Sequence, residues 1–307
     1  MPPVAAQSRG ILFGIGAYSL WGLFPLYFRA IDDASPVEIL AHRVVWSLAF
    51  VALLLLIMRR WAWIGRLRHA PWKVALLSLA AGVIAVNWGV YIWAVNSGNV
   101  VEASLGYFIN PLVTVLLGVV LLRERLRPGQ WAAVGLGFVA VVVLTFDYGR
   151  PPWIALVLAC SFGTYGLIKK TVGLPGVESL SVETAVLFIP FLIYLFAIGG
   201  RGELAFASGD TALTVGLIAA GPITAIPLIL FGAAAIRVPL STMGLLQYIT
   251  PVIQFLLGIT VFGEEMPPSR WIGFGLVWLA LVVLTVEGYR SRRRRIRGEA
   301  VPTAEPI

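Results

Sequence analysis

Ionisable side chains stand inside long apolar runs of this chain. Arg43 and Glu183 lie within the runs 36–58 and 177–198. Each such charge costs about 2.5–3.5 kcal/mol at the centre of a membrane helix on insertion scales, so it faces protein or a water-filled cavity. Arg43 can attract an anionic group, and a desolvated Glu183 can take up a proton. We predict that both line a binding cavity, on opposite sides of its midplane and too far apart for a salt bridge; a purely structural role is the alternative.

Polar and aromatic residues in neighbouring runs extend this candidate site. They suit an amphipathic or aromatic solute, held by apolar contact, cation–π attraction and a few hydrogen bonds. Packing between helices is the alternative for each aromatic ring, and His42, about 100° round the helix from Arg43, is equally well explained by packing. With Arg43 and Glu183, the predicted substrate-binding residues are Tyr18, Trp21, Trp46, Asn87, Tyr91, Tyr107, Asn110, Tyr165, Gln247 and Tyr248.

Two prolines predict breaks in two helices. Pro111 and Pro251 lie inside apolar runs, where proline lacks an N–H and frees the carbonyl four residues earlier. Those carbonyls belong to Tyr107 and Gln247. We predict two broken or kinked helices that face each other and turn these carbonyls towards the cavity; alternatively, neighbouring helices or Ser and Thr side chains satisfy them.

The composition requires a membrane. Hydrophobic residues make up 59% of the 307 residues and charged residues 12%, against about 25% charged in soluble domains. One soluble core could not enclose so much apolar surface, and the mean hydropathy is +0.89. We predict an all-α integral membrane protein with ten transmembrane helices. The apolar runs lie near 10–28, 36–58, 74–96, 102–122, 130–146, 152–168, 177–198, 212–235, 239–262 and 271–287.

Single residues argue against other classes of protein. Cys160 is the only cysteine, which excludes a disulfide framework and a thiolate metal site. His42 and His69 lack the spacing of a metal hydrolase, and no catalytic dyad or nucleotide loop can be assembled. We therefore predict no enzyme, no metal and no cofactor, with proton coupling left open. The net charge of +8 indicates no nucleic-acid partner, because the basic residues lie in loops and in the C-terminal tail.

These basic residues also predict the orientation. Most of the 23 lysines and arginines fall on one side of a ten-helix chain, among them Lys169 and Lys170 in the loop after the sixth run. The opposite side holds Arg29, Arg150, Arg201 and Arg270. By the positive-inside rule both termini are cytoplasmic.

An internal repeat is the strongest feature of the sequence. Residues 105–145 align without a gap with residues 245–285, at a constant offset of 140 residues. Because each repeat holds five helices, an odd number, the two halves have opposite topology in the membrane. Inverted repeats of this kind are the architecture of secondary transporters, although duplication also produces helical bundles without a transport role. The matched positions include Pro111/Pro251, Glu124/Glu264, Trp131/Trp271, the strings 37–40 and 177–180, and Arg43/Glu183.

Five strings are distinctive: YSLWGLFPLY at 18–27, HRVVWS at 42–47, EASLGYFINPL at 102–112, SFGTYGL at 161–167 and GLLQYITP at 244–251. They resemble the RarD family of EamA-domain transporters, in the drug/metabolite transporter superfamily. The resemblance runs from about residue 10 to 287. It implies a ten-helix protein of the plasma (inner) membrane with two EamA repeats, at 10–146 and 152–287. The basic tail at 288–307 lies outside the motifs and is predicted to be cytoplasmic and disordered.

The predicted function is secondary-active transport of small metabolites or drug-like solutes by alternating access, with export or exchange favoured. A non-transporting membrane receptor or scaffold is the first alternative, and an intramembrane enzyme is the second. The expected partners are an unknown small-molecule substrate and the lipid bilayer. The substrate, the transport direction, the coupling ion and the choice between monomer and homodimer stay open.

Overall fold

The chain folds into helices joined by short connections. This computed structural model describes residues 4–59, 61–122, 126–174, 176–235, 237–238, 243 and 245–296. All regular secondary structure in these ranges is helical. The helices are α1 (Val4–Gly22), α2 (Phe24–Arg29), α3 (Pro36–Met58), α4 (Ala62–Arg68), α5 (Pro71–Asn96), α6 (Val100–Leu122), α7 (Pro128–Tyr148), α8 (Trp153–Val172), α9 (Gly176–Gly200), α10 (Thr211–Ala235), α11 (Ile249–Thr260) and α12 (Pro268–Ile296).

Within these ranges, 8 helical segments are long and apolar enough to cross a membrane. They are α1 together with α2, then α3, α5, α6, α7, α9, α10 and α12. The apolar stretches of α8 and α11, Trp153–Lys169 and Ile249–Thr260, are shorter. Large apolar side chains point away from the protein, with Phe146 83% exposed and Phe196 74% exposed. Such a surface is stable against lipid, so the chain is a multi-pass membrane protein.

Local signals in the sequence place the helix ends. Proline opens α3, α5, α7 and α12, at the position where a helix needs no N–H. Ser35 caps α3, because its hydroxyl accepts a hydrogen bond from the Glu38 N–H at 3.2 Å. Gly149 and Gly173 end α7 and α8 at φ 65°, a left-handed conformation that glycine adopts without strain.

Some helix boundaries differ from the predicted apolar runs. The ninth run is interrupted: residues 243, 245 and 246 are helical, residues 247 and 248 form a turn, and α11 begins at Ile249. Residues 239–242 and 244 lie outside the described ranges. The predicted disordered tail is wrong over its first part, since α12 continues to Ile296. Arginine is a good helix former, so the helix does not end where the apolar run ends. Residues 297–307 lie outside the described ranges.

Close helix packing positions the elements that carry the site. Among the main contacts, α6 packs along α8, α7 along α12, and α3 against both α9 and α10. Gly106 allows the first of these contacts, because a Cβ atom there would lie 2.8 Å from the Ala155 carbonyl oxygen. The largest buried cluster draws residues from α2, α3, α5, α6, α8 and α10.

The bundle has two ends, which differ in chemistry. We name the Glu264 end after Glu264 in the loop 261–267; it also contains the connections 30–35, 97–99, 149–152 and 201–210. We name the Arg127 end after Arg127 at the start of α7. Lys73 and Glu287 lie there, and the Lys73 ammonium donates a hydrogen bond to the Val172 carbonyl at 2.9 Å.

Candidate functional site

Arg43 is enclosed by aromatic rings in the largest buried cluster. Its guanidinium carbon lies 4.0 Å from the centre of the Trp88 ring, 5.4 Å from that of Phe24 and 5.7 Å from that of Phe28. Its Nε donates a hydrogen bond to Thr224 Oγ1 at 2.9 Å. The residue is only 4% exposed, so the sequence prediction that Arg43 faces protein agrees with its position.

Arg43 has no anionic partner in the part of the chain that the structure describes. None of the ion pairs there includes it. Tyr27, Tyr91 and Tyr107 lie close enough to interact with it electrostatically, and the buried Tyr91 hydroxyl has no hydrogen-bond partner among the described residues. An uncompensated buried charge costs several kcal/mol, and cation–π contacts offset only part of that. The buried charge of Arg43 is therefore left without a counter-ion among the described residues.

Glu183 lies in a separate polar cluster between α8 and α9. The Lys169 ammonium is 2.7 Å from Glu183 Oε1, and Ser179 Oγ donates to the same oxygen at 2.7 Å. The Tyr165 hydroxyl donates to Glu183 Oε2 at 3.0 Å. Arg43 and Glu183, although equivalent in the repeat, therefore have different surroundings and separate partners.

Lys169 corrects one assignment made from the sequence. The run 152–168 predicts Lys169 in a cytoplasmic loop, but α8 continues to Val172 and the Lys169 side chain is only 20% exposed. The physical reason is the buried Glu183 carboxylate, which compensates the charge of Lys169 inside the bundle. A buried carboxylate predicted without a counter-charge is the signal that could have identified this pair.

Tyr18 and Trp21 form an aromatic group with Phe231, and Trp21 also packs against the largest buried cluster. Their ring centres are 5.5 Å apart, and Phe231 of α10 packs against both, at 6.1 and 5.8 Å. Their carbonyls, near the end of α1, accept hydrogen bonds from α11: Thr250 Oγ1 donates to the Tyr18 carbonyl at 2.8 Å and Gln254 Nε2 to the Trp21 carbonyl at 3.1 Å. These contacts tie α1 to α11.

Asn87 and Trp46 use their polar groups in contacts within the protein. Asn87 Nδ2 donates to the Leu158 carbonyl at 3.1 Å and to Ser161 Oγ at 2.9 Å, which joins α5 to α8. Trp46 Nε1 donates to His42 Nδ1 at 3.2 Å. For Trp46 the packing alternative agrees with this geometry at least as well as a binding role, and Asn87 uses its amide group to join two helices.

A cavity of about 370 Å³ opens at the Arg127 end; most of its surface is apolar, and we call it the polar cavity after the five polar side chains in its lining. Two polar atoms are buried there without a hydrogen-bond partner in the described ranges, Asn110 Oδ1 and Arg127 Nε. The cavity brings together three residues that the sequence singled out, Asn110, Pro111 and Gln247, and adds Arg127. It is lined by Asn110, Pro111, Thr114, Val115, Arg127, Gln130, Gln247, Leu284 and Gly288.

The two prolines have unequal environments. Pro111 lies inside α6, which continues unbroken from Val100 to Leu122; a kink there stays a prediction. Pro251 lies in the first turn of α11, after the turn at residues 247–248, where proline loses no helical hydrogen bond. Tyr248 lies in a separate apolar groove of about 300 Å³.

Carboxylates that the sequence did not identify as functional close the Glu264 end. Glu38 Oε1 accepts hydrogen bonds from the Ala205 and Phe206 N–H groups, both at 2.9 Å. Glu102 accepts a hydrogen bond from the Ile154 N–H at 3.1 Å and pairs with Arg150 at 2.8 Å. Each carboxylate joins the half of the chain before residue 146 to residues after it.

Glu264, in the second half of the chain, makes the same kind of contact with the first half. Its two oxygens accept hydrogen bonds from the N–H groups of Val100 and Val101, the latter at 2.9 Å, at the start of α6. Burial raises the pKa of the Glu264 carboxyl above its ordinary value, and these two N–H groups and Arg270 offset the effect only in part. The repeated Glu124/Glu264 pair was the sequence signal for this residue; Glu124 lies outside the described ranges.

The fold and the site together define a polytopic membrane protein with buried charges and a polar cavity between its helices, as in membrane transport proteins. The EamA-like transporter family matches residues 8–146. "Protein RarD" of Streptomyces exfoliatus is 59% identical, over 96% of this chain and 94% of its own. "Protein RarD" of Escherichia coli (strain K12) is 41% identical, over 94% and 98%.

A further relative carries a transporter name. "Uncharacterized transporter YojE" of Bacillus subtilis (strain 168) is 41% identical, over 94% of this chain and 97% of its own. The chain belongs to the RarD family of EamA-domain transporters, in the drug/metabolite transporter superfamily. A crystal structure of a protein 20% identical to this chain matches with a TM-score of 0.58 over 90% of this chain and 97% of that chain, so the two share a fold.

Proposed function

We propose that this protein is a secondary-active transporter for small organic anions with an apolar or aromatic body, of metabolite or drug-like size. The observation that carries the proposal is the Arg43 guanidinium, buried among three aromatic rings without a carboxylate partner in the described part of the chain. An anionic group would neutralise it, and the rings would contact the body of the solute. Export or exchange is the favoured direction.

Alternating access between two inverted repeats of five helices is the proposed mechanism. Equivalent helices make equivalent contacts: α5 packs on α8 as α10 packs on α1, and α6 on α8 as α11 on α1. With α8 and α11 counted as the sixth and ninth spans, the chain crosses the membrane ten times. The polar cavity at the Arg127 end then gives the solute access from one side, and Arg43 lies towards the closed Glu264 end.

The proposed location is the plasma (inner) membrane, with both termini and the Arg127 end in the cytoplasm, because most basic residues fall on that side. Reporter fusions after Arg127 and after Glu265 should therefore lie in opposite compartments. The same compartment for both would contradict the inverted topology.

Proton coupling is proposed as the energy source, with Glu183 as the candidate group. Its ion pair with Lys169 adds a condition: proton uptake by Glu183 requires the pair to open, because the ammonium stabilises the carboxylate. Transport in proteoliposomes with and without an imposed pH gradient tests this coupling.

Ligand binding is tested with matched probes that differ only in charge. Benzoate and phenylacetate should raise the Tm of the purified protein, whereas benzamide and phenylacetamide should not, because only the carboxylates complement Arg43. The carboxylate that stabilises most is then used, radiolabelled, for uptake into proteoliposomes. Equal stabilisation by acids and amides would contradict the anionic class, and binding without uptake would favour a receptor or scaffold.

Two substitutions of Arg43 separate charge from shape. Arg43→Gln should abolish stabilisation by the carboxylates, and Arg43→Lys should retain part of it, because a lysine keeps the charge but loses the planar contact with Trp88. Arg201→Gln is the matched control, because Arg201 is an exposed arginine in the loop after α9. Normal uptake by Arg43→Gln would contradict the role of Arg43.

A further inference from the structure

Glu38 holds the Glu264 end closed from a position that is repeated in the other half of the chain. Its side chain is buried in the first turn of α3, and Oε1 accepts two N–H groups of the loop between α9 and α10, from Ala205 and Phe206. The His42 ring stacks on the Phe206 ring, with centres 4.6 Å apart. This loop is therefore fixed against α3 by two charge-assisted hydrogen bonds and a ring contact.

Glu178 is the equivalent carboxylate of the second half, at the offset of 140 residues. It stands in the first turn of α9, within the string at 177–180 that repeats 37–40. Its Oε2 is buried without a hydrogen-bond partner among the described residues. Of these two equivalent carboxylates, Glu38 is hydrogen-bonded at the Glu264 end. Glu178, at the Arg127 end, has one oxygen without a partner among the described residues.

A second pair of equivalent residues shows the same difference between the ends. Asp147, at the end of α7, pairs with Arg270 at 2.9 Å and also accepts a hydrogen bond from Ser269. Its equivalent, Glu287 of α12, approaches Arg127 only to 3.9 Å. Both contacts join α7 to α12, one at each end of the helix pair.

A third pair links this difference to access. Thr114 of α6 is exposed and lines the polar cavity at the Arg127 end. Its equivalent, Gln254 of α11, is 2% exposed and bonded to the Trp21 carbonyl. Among the described residues, three pairs of equivalent positions are therefore bonded more closely, or buried more deeply, at the Glu264 end than at the Arg127 end.

We infer that Glu38 and Glu178 are reciprocal latches, each of which stabilises the closure of one end of the transporter. This inference rests on the proposed alternating-access function. Glu38 stabilises the state seen here; in the opposite state its bonds to Ala205 and Phe206 are broken, and Glu178 bonds to the connection between α3 and α5. That connection is the counterpart of the loop that Glu38 binds.

Trp63 is the donor that the second latch would use. It lies in α4, within the connection between α3 and α5, and packs in one cluster with Val177 and Leu180, which flank Glu178 in sequence. Its indole Nε1 is buried without a hydrogen-bond partner among the described residues. A donor and an acceptor, each without a partner, thus belong to neighbouring elements at the Arg127 end.

The test uses two cysteine reporters at equivalent positions, in a Cys160→Ala background that removes the exposed native thiol. Thr114→Cys reports access from the Arg127 end, and Gln254→Cys reports access from the Glu264 end. Each reporter is labelled with a membrane-impermeant maleimide in right-side-out and in inside-out vesicles. Glu38→Gln and Glu178→Gln are then added one at a time to each reporter.

The two substitutions should act in opposite directions. Glu38→Gln weakens closure of the Glu264 end, so labelling of the Gln254→Cys reporter should rise about tenfold and that of the Thr114→Cys reporter should fall; tenfold corresponds to about 1.4 kcal/mol. Glu178→Gln should lower labelling of the Gln254→Cys reporter and raise that of the Thr114→Cys reporter. Trp63→Phe should shift both reporters in the same direction as Glu178→Gln.

Glu203→Gln is the matched control, because it removes an exposed carboxylate from the same loop that Glu38 binds and should leave both reporters unchanged. The first decisive case is one in which the reporter proteins without latch substitutions transport, and Thr114→Cys and Gln254→Cys are labelled from opposite sides of the membrane. If Glu38→Gln and Glu178→Gln then shift labelling in the same direction, or not at all, the latch inference is wrong and the transport proposal stands. If the two reporters are labelled only from one side of the membrane and the reporter proteins do not transport, the latch inference and the transport proposal are both wrong.

Discussion

Replacing Lys169 with methionine would leave the Glu183 carboxylate without its counter-charge. Glu183 is 1% exposed and Lys169 20% exposed at the side chain, and the contact is 2.7 Å. Removing one partner of a buried ion pair costs about 3–5 kcal/mol. We expect the lower value, about 3 kcal/mol, because Ser179 and Tyr165 still donate hydrogen bonds to the carboxylate and offset part of the loss.

The double variant Lys169→Met/Glu183→Gln should recover most of that loss. It leaves no buried charge, and the amide oxygen of glutamine can still accept from Tyr165. The coupling energy between the two substitutions should therefore be about 2–3 kcal/mol. Heating the purified protein and following the fluorescence of its 11 tryptophans measures the effect. At about 2–4 °C per kcal/mol, Lys169→Met should lower the Tm by roughly 6–12 °C.

The control for the stability effect of Lys169→Met is a substitution at a neighbouring exposed residue. Thr171→Val changes an exposed residue of the same helix and should stay within about 0.5 kcal/mol of the parent. Single-variant effects that add within about 0.5 kcal/mol would show that the two charges are independent, and would contradict the ion-pair reasoning. Proton-driven uptake by the double variant at the parental rate would show that the pair stabilises the fold without coupling transport.

Two further predictions concern packing and pH. Gly106→Ala should cost about 1–3 kcal/mol, measured by Tm, because its Cβ would lie 2.8 Å from the Ala155 carbonyl oxygen. Gly166→Ala, whose Cβ would have no atom within 4 Å, should be neutral or stabilising. An equal loss of stability at both positions would contradict the packing argument. Burial raises the pKa of Glu264 from 4.5, so its contribution to stability is fully present below pH 4.5 and is lost as the pH rises through the folded-state pKa. The Tm of Glu264→Gln minus that of the parent should therefore be highest at neutral pH and fall towards pH 4.5, and a difference that rises on acidification would contradict the burial of the carboxylate.

The membrane class, most of the helices and the family could be predicted from the sequence because their signals are local. A run of about twenty apolar residues has few alternatives to a membrane helix, and proline and glycine place the ends of such helices wherever they occur. The resemblance in strings such as EASLGYFINPL identified the family before any contact was known. Hydropathy also indicated that Arg43 and Glu183 face protein, because lipid tolerates neither charge.

The partners of these charges could be decided only by the tertiary structure. From the sequence, Lys169 was predicted to lie in a loop, and all the candidate residues were predicted to line a single cavity. In the fold, Arg43 has aromatic rings around it, Glu183 has Lys169, and Asn110 and Gln247 lie in a cavity at the Arg127 end. Hydropathy along the chain does not specify which faces of distant helices pack together.

The difference between the two ends was also beyond the sequence. The repeat makes Glu38 and Glu178 equivalent, so from the sequence alone the two carboxylates are interchangeable. In the structure, Glu38 accepts hydrogen bonds from two backbone N–H groups, whereas Glu178 Oε2 has no partner among the described residues. Sequence symmetry constrains the contacts that the two halves are able to make, but the fold decides which of them form, because each carboxylate needs a donor that only the packing of distant segments brings within reach.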